Sequence, residues 1–208
     1  MALPRPDRAR NPWQPSDMAQ AVLRVHAGEG LQQVATDVGR PVDELVEAVD
    51  RLTDPKDVVT RLVALAAEYG YTARAEFPFD FADVPGKTYR PDCVWFTGEP
   101  DQSRAVAIFE VDKDVSPKHL AGGIGWANVV ALSLARRLRF FVLTPRRSAG
   151  VPTRTLELFR KYLADRWALE AIPVAGFSPE VIREQIVVMM DDMNLRQRNS
   201  TEKGAADA

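Results

Sequence analysis

The tightest constraint on this chain is the run Ala105-Val106-Ala107-Ile108-Phe109, five apolar residues without a polar interruption. A strand with one wet face alternates apolar and polar residues, whereas an unbroken run reads as a strand covered on both faces. It requires strands beside it and helices above and below, which places the chain in the α/β class. The run ends in Glu110-Val111-Asp112, and because strand side chains alternate with period two, Glu110 and Asp112 leave the sheet on the same face. A second apolar run, Cys93-Val94-Trp95-Phe96, is preceded directly by Asp92. If the two strands are neighbours, three carboxylates gather at one end of a hydrophobic sheet. They repel one another, and each costs on the order of several kcal/mol to desolvate. Such a cluster persists if protons are taken up or if a hard divalent cation sits between the oxygens. The cation is the sharper expectation; a strand end salt-bridged to Arg90, Lys87 or Lys113 is the plain one.

Composition narrows the function classes. With 208 residues and 46% hydrophobic content the chain can build one or two real cores. Its formal net charge of −2 gives no overall basic field that would advertise nucleic acid, although local patches matter more than totals. The single cysteine, Cys93, excludes an internal disulfide and any multi-cysteine zinc site. No apolar run approaches the roughly 18 residues of a membrane span, and the Pro- and Arg-bearing start is no signal peptide. A soluble, cytoplasmic protein without a membrane partner is expected.

In chain order, residues 1–15 hold four prolines among Arg5, Arg8 and Arg10 and read as a loose arm. Residues 16–53 read as a small all-α, tri-helical domain: a first helix capped by Ser16, a second over about Gly30 to Val38, and a third over Val42 to Leu52. The spacing of Ala35, Gly39 and Leu45 resembles a helix-turn-helix, with a small residue at the helix crossing and a glycine in the turn. The third helix is acidic, however, carrying Asp43, Glu44, Glu47 and Asp50. In a major groove those charges would face phosphates, so docking of a protein partner or self-association suits this domain better than base reading. Residues 54–195 read as a mixed central sheet flanked by helices. A helix spans 54–70, a strand Tyr71 to Phe79, and a loop Asp80 to Thr88, followed by the two carboxylate strands. Then come a helix from Ser116-Pro117 to about Arg137, a strand Leu138 to Leu143, a helix Thr153 to Trp167, a strand Leu169 to Val174 and a closing helix from Pro179 to about Met193. Residues 196–208 read as a disordered tail.

This order of helix, three strands, helix and strand, with Pro91-Asp92 on the second strand and Glu110-Val111-Asp112 on the third, resembles the restriction-endonuclease-like superfamily. The mark of that family is PD, a spacer, and (D/E)-x-K, and Asp112 stands here at the lysine position. The resemblance covers about residues 54–175. It implies that Asp92, Glu110 and the Val111 carbonyl hold Mg²⁺ or Mn²⁺, with Glu68 matching an acidic position often found on the first helix. Asp112 would orient or deprotonate the attacking water or hold a second metal, and Lys113 and Lys118 are candidates for a migrated lysine. Read from the residues alone, His119 beyond the carboxylates is either a phosphate contact or incidental, and Arg136, Arg137, Arg139, Arg146, Arg147 and Arg154 gather into a local positive patch for DNA, with a solvated helix end explaining Arg136 and Arg137 equally well. The run Gly122-Gly123-Ile124-Gly125 matches no nucleotide-binding loop and reads as close packing on the sheet or approach to a substrate phosphate. The implied activity is metal-dependent hydrolysis of DNA phosphodiesters. The alternative is a catalytically silent nuclease fold that binds DNA, regulates, or acts as an adaptor through its helical domain.

Overall fold

The described residues of the computed structural model are 13–81, 86–188 and 190. In chain order they form α1 (Pro15–His26), α2 (Leu31–Asp37), α3 (Val42–Leu52), α4 (Pro55–Glu68), β1 (Thr72–Ala75), β2 (Phe79–Asp80), β3 (Thr88–Tyr89), β4 (Cys93–Phe96), β5 (Ala105–Val111), α5 (Pro117–Ser133), β6 (Leu138–Thr144), α6 (Gly150–Tyr162) and β7 (Leu169–Ala175). A closing helix, α7, covers 179–188. The central apolar run is β5, third in a five-stranded sheet ordered β1-β4-β5-β6-β7. The pairs β1–β4 and β4–β5 are antiparallel and the pairs β5–β6 and β6–β7 are parallel, so the sheet is mixed.

Both faces of β5 are covered, as an unbroken apolar run requires. Ile108 packs with Val94, Phe96 and Phe140 under α5 and α6. Ala107 and Phe109 pack with Trp95, Phe141 and the apolar stripe of α4 on the other face, where Ile182 and Ile186 of α7 join them. Phe109 and Phe141 stack at 4.7 Å between centroids, 8° from parallel, which adds a specific contact to the area buried. Among the described residues no helix is long and apolar enough to cross a membrane.

Several boundaries differ from expectation for identifiable reasons. The strand expected over Tyr71 to Phe79 ends at Ala75, because Glu76 takes a left-handed φ of 50° and turns the chain. The expected loop after it contributes instead to a two-stranded hairpin of β2 and β3, its tip falling outside the described residues. Pro15 rather than Ser16 begins α1, with Gln14 as N-cap, since proline at the first position lacks only an N–H that would be unpaired there anyway. Trp13 packs on this domain and its indole N–H donates to Glu44 at 3.1 Å, so the loose arm does not extend to residue 13. The helix expected to run to Arg137 stops at Ser133, and Ala135 turns out of it with a φ of 50°. α6 starts three residues early and ends early, because Pro152 is tolerated in its first turn and a 3₁₀ turn at Ala164–Arg166 takes its expected tail. The tail and most of the arm lie outside the described residues.

The helices α1 to α3 enclose a core of their own through Val22, Val34, Leu45 and Val49. What joins this unit to the sheet is the acidic face of α3. Asp50 is 7% exposed, and its carboxylate accepts the backbone N–H of Arg146 at 2.7 Å and of Phe177 at 2.9 Å. These two groups follow β6 and β7, so one side chain ties the helical unit to two loops at the same end of the sheet. Gly176, with φ of 116°, lets the chain pass Asp50 there, where an added Cβ would lie 3.7 Å from the carboxylate. Asp43 faces the Arg146 guanidinium at 3.5 Å, and Lys113 donates to the Thr53 carbonyl at 3.0 Å. Glu180 of α7 accepts the Leu31 N–H at 3.2 Å at the start of α2. The charges that argue against groove reading thus dock the domain onto its own chain.

Replacing Asp50 with Ala leaves two backbone donors buried without partners. The chain should lose roughly 2–4 kcal/mol of stability in urea denaturation, since hydrogen bonds to a charged acceptor are among the stronger ones. A loss below about 1 kcal/mol would show that the tie is incidental.

Candidate functional site

The antiparallel register of β4 and β5 pairs Cys93 with Phe109, which puts Asp92, one residue before β4, beside Glu110. Asp92 locks the juxtaposition by accepting the Val111 N–H at 2.7 Å. Tyr89, buried at the end of β3, donates its hydroxyl to Glu110 at 2.5 Å. The fourth wall is α5. Ser116 accepts the His119 N–H at 3.1 Å as N-cap, and Pro117 starts the helix. One turn on, Gly123 passes so close to the sheet that an added Cβ would lie 3.3 Å from a Glu110 oxygen. Gly123 therefore serves close approach to the carboxylate, one of the two roles read for the run, while Gly122 and Gly125 have open space where a Cβ would stand.

These elements enclose an open cleft of about 610 Å³. Asp92, Glu110 and Asp112 line it together, as do Lys118 and His119 from α5 and Arg90 from the β3–β4 connection. Trp126 stands 38% exposed in its wall and stacks on Phe81 at 5.3 Å. No ion pair joins Arg90, Lys87 or Lys113 to the three carboxylates among the described residues; the recorded partner is His119, whose Nδ1 lies 3.3 Å from an Asp112 oxygen. The salt-bridged strand end is therefore not what is found.

Electrostatics follow from burial. Burial pushes the Glu110 carboxyl up to about 8; the Tyr89 hydroxyl, which favours the charged form, works against this, and the neighbouring Asp92 charge adds to it. Asp92 is also raised, burial again being the largest cause, while the Val111 N–H and a hydrogen bond with Glu110 pull it down. Burial, reinforced by Glu110, holds the Tyr89 hydroxyl well above the usual phenol range, so it stays a donor.

Other expected site residues lie elsewhere. Lys113 reaches Thr53 of the helical unit and is not in the cleft wall, as its odd position along the strand direction dictates. Glu68 is held by Arg183 through hydrogen bonds of 2.7 and 3.0 Å beside a separate hollow, away from the carboxylate group. Arg136 donates to the Ala105 carbonyl, at the opposite end of β5 from Glu110 and roughly 17 Å away along the strand. Arg137 follows it there, exposed. Arg146 and Arg147 belong to the interface with α3, the first through Asp43 and Asp50 and the second in a hollow shared with Trp13 and Glu47. The expected arginine patch is thus split between two ends of the sheet. Sequence reasoning missed Tyr89 as a site residue, although it stands three positions before Asp92 in the same stretch.

Among the described residues no three His, Cys, Asp or Glu side chains converge as a ready-made metal cage. Comparison with protein-family models, characterised proteins and solved structures finds no significant match.

With the folded carboxyl protonated up to pH of about 8 and an ordinary glutamate titrating near 4.5, the unfolded chain loses this proton first. Stability in the presence of a chelator should therefore fall as pH rises between these values, by on the order of a few kcal/mol, and level off above. Glu110→Gln, neutral at every pH and of the same shape, should flatten the fall in urea denaturation at pH 5 and pH 8. Parallel curves for the two proteins would contradict the assignment.

Proposed function

We propose that this chain is a metal-dependent DNA endonuclease of the restriction-endonuclease-like kind with an acidic variant of its motif. The observation that carries the reading is the Asp92–Glu110 pair, two carboxyl groups set side by side by the β4–β5 register on the wall of an open cleft. Burial raises both carboxyls, and a cation between them would relieve that cost together with their mutual repulsion. Mg²⁺ is commonly held by one or two carboxylates completed by water and substrate phosphate rather than by an all-protein cage. Two acidic side chains without a third convergent ligand fit that mode. Asp92, Glu110 and the Val111 carbonyl would hold Mg²⁺ or Mn²⁺, which when bound supplies an activated water and charge relief for the leaving oxygen.

The remaining groups suit an anionic substrate. Lys118 and Arg90 place positive charge on the cleft wall, where an anionic substrate would meet it. The element order also supports the reading, since α4, β1, β4, β5, α5 and β6 follow the succession of helix, three strands, helix and strand, with the β2–β3 hairpin inserted. Asp112 at the position of the family's lysine favours one competing reading, a silent member of the fold that binds DNA or a protein partner without cutting.

Purified chain should nick supercoiled plasmid with Mg²⁺ or Mn²⁺ and not with chelator, and Asp92→Ala or Glu110→Ala should abolish nicking while the fold persists by circular dichroism. Lys118→Ala should weaken plasmid binding uniformly across sequences and reduce its salt dependence by about one phosphate contact. A wild-type chain that cuts no nucleic acid with either metal would overturn the nuclease reading in favour of the silent fold.

A further inference from the structure

The lysine of the resembled motif has no counterpart in the cleft at its own position, where Asp112 stands. Asp112 is 8% exposed, and its backbone N–H is fixed on the Leu143 carbonyl at 2.9 Å. A buried carboxylate needs a donor. Among the described residues the side chain that reaches it is His119, with Nδ1 at 3.3 Å. With the carboxylate oxygen accepting, the Nδ1–H tautomer of His119 would make this contact and leave Nε2 as the free acceptor. The backbone that carries the imidazole is fixed as well. His119 is the third residue of α5, its N–H bound to the Ser116 hydroxyl, and Pro117 fixes the first turn. Its side chain is otherwise open, 79% exposed, on the wall of the cleft that holds Asp92 and Glu110.

Resting on the nuclease reading above, we infer that His119 is the general base of the hydrolysis and that Asp112 is its positioning residue. The carboxylate–imidazole pair does the work for which the resembled motif uses lysine, and the acceptor comes from α5 instead of β5. In the step, a water molecule gives one proton to Nε2 while its oxygen forms the new bond to phosphorus. The bond from phosphorus to one bridging oxygen breaks, and that oxygen leaves with the electron pair and takes a proton from solvent water. The imidazolium, stabilised by Asp112, returns its proton to solvent. The products are a phosphomonoester and an alcohol, and water is the sole co-reactant. A phosphate contact would use the same pair with the ring as imidazolium, and the separate measurement of affinity distinguishes the two roles.

The test is single-turnover plasmid nicking by the full chain in Mg²⁺, with plasmid affinity measured separately in chelator. His119→Ala should lower the cleavage rate by about 10²–10⁴-fold and leave affinity nearly unchanged, and added imidazole should restore part of the rate. Imidazole should not rescue Glu110→Ala. Asp112→Asn should slow the wild-type background yet cost nothing further in the His119→Ala background, because it acts through the ring. A merely structural Asp112 would slow both. If wild type cuts and His119→Ala cuts equally well, or loses rate only through weaker binding, the base assignment is overturned while the nuclease reading stands. If wild type does not cut, both fall.

Discussion

A carboxyl group at the end of a strand buried on both faces is held there against its own desolvation, and the whole site is arranged around how that is managed for Glu110. Its strand cannot move, because β4 and β6 pair with it on both sides and aromatic rings pack above and below. Glu110 therefore receives its partners where it stands: the Tyr89 hydroxyl, the Asp92 carboxylate and the bare backbone of Gly123. Each partner leaves the carboxyl available to the cleft, and none supplies a full positive charge. A purely structural buried carboxylate finds an arginine or several backbone donors, as Asp50 does in the same molecule with two N–H groups. The contrast is between Asp50, which accepts two backbone N–H groups, and Glu110, raised by burial with a hydroxyl donating to it, and it makes Glu110 the candidate for chemistry.

The same end of the sheet serves both purposes. The parallel strands β5, β6 and β7 all finish there, and the loops beyond them carry the cleft at β5 and the helical unit at β6 and β7. Lys113 is the hinge between the two in sequence, one residue beyond Asp112 in the cleft and bonded to Thr53 at the end of α3. In open α/β sheets the carboxyl ends of strands are where ligand sites collect. Here that edge is shared with a domain docked by charge, and the acidic face of α3 is spent on the chain's own loops.

What was legible in the sequence was whatever left a periodic or unbroken pattern. The run 105–109 announced a doubly covered strand, α3 fell on Val42–Leu52, and Ser116-Pro117 announced the start of α5. Because period two is strict, Glu110 and Asp112 could be placed on one face, and adjacency of the strands then drew in Asp92. The contacts that escaped have no period. Two-residue strands such as β2 and β3 give too short a pattern to see. The arginines looked like one patch because they are near in sequence, but Arg136 precedes β6 and Arg146 follows it, so the strand itself carries them to opposite ends of the sheet. Lys113 points away from the carboxylates as alternation suggests, and the meeting of Asp112 with His119 depends on the angle at which α5 leaves the sheet, which no spacing rule encodes.

The central proposal is that the Asp92–Glu110 pair is a divalent-cation site, the cation relieving the burial and repulsion that raise the Glu110 carboxyl. Soaking crystals in Mn²⁺ and collecting anomalous diffraction tests it most directly. The account predicts an anomalous peak between the Asp92 and Glu110 carboxylates that is lost in Glu110→Gln. Crystals that take up Mn²⁺ elsewhere, or not at all, while these two carboxyls remain bonded to each other would contradict it.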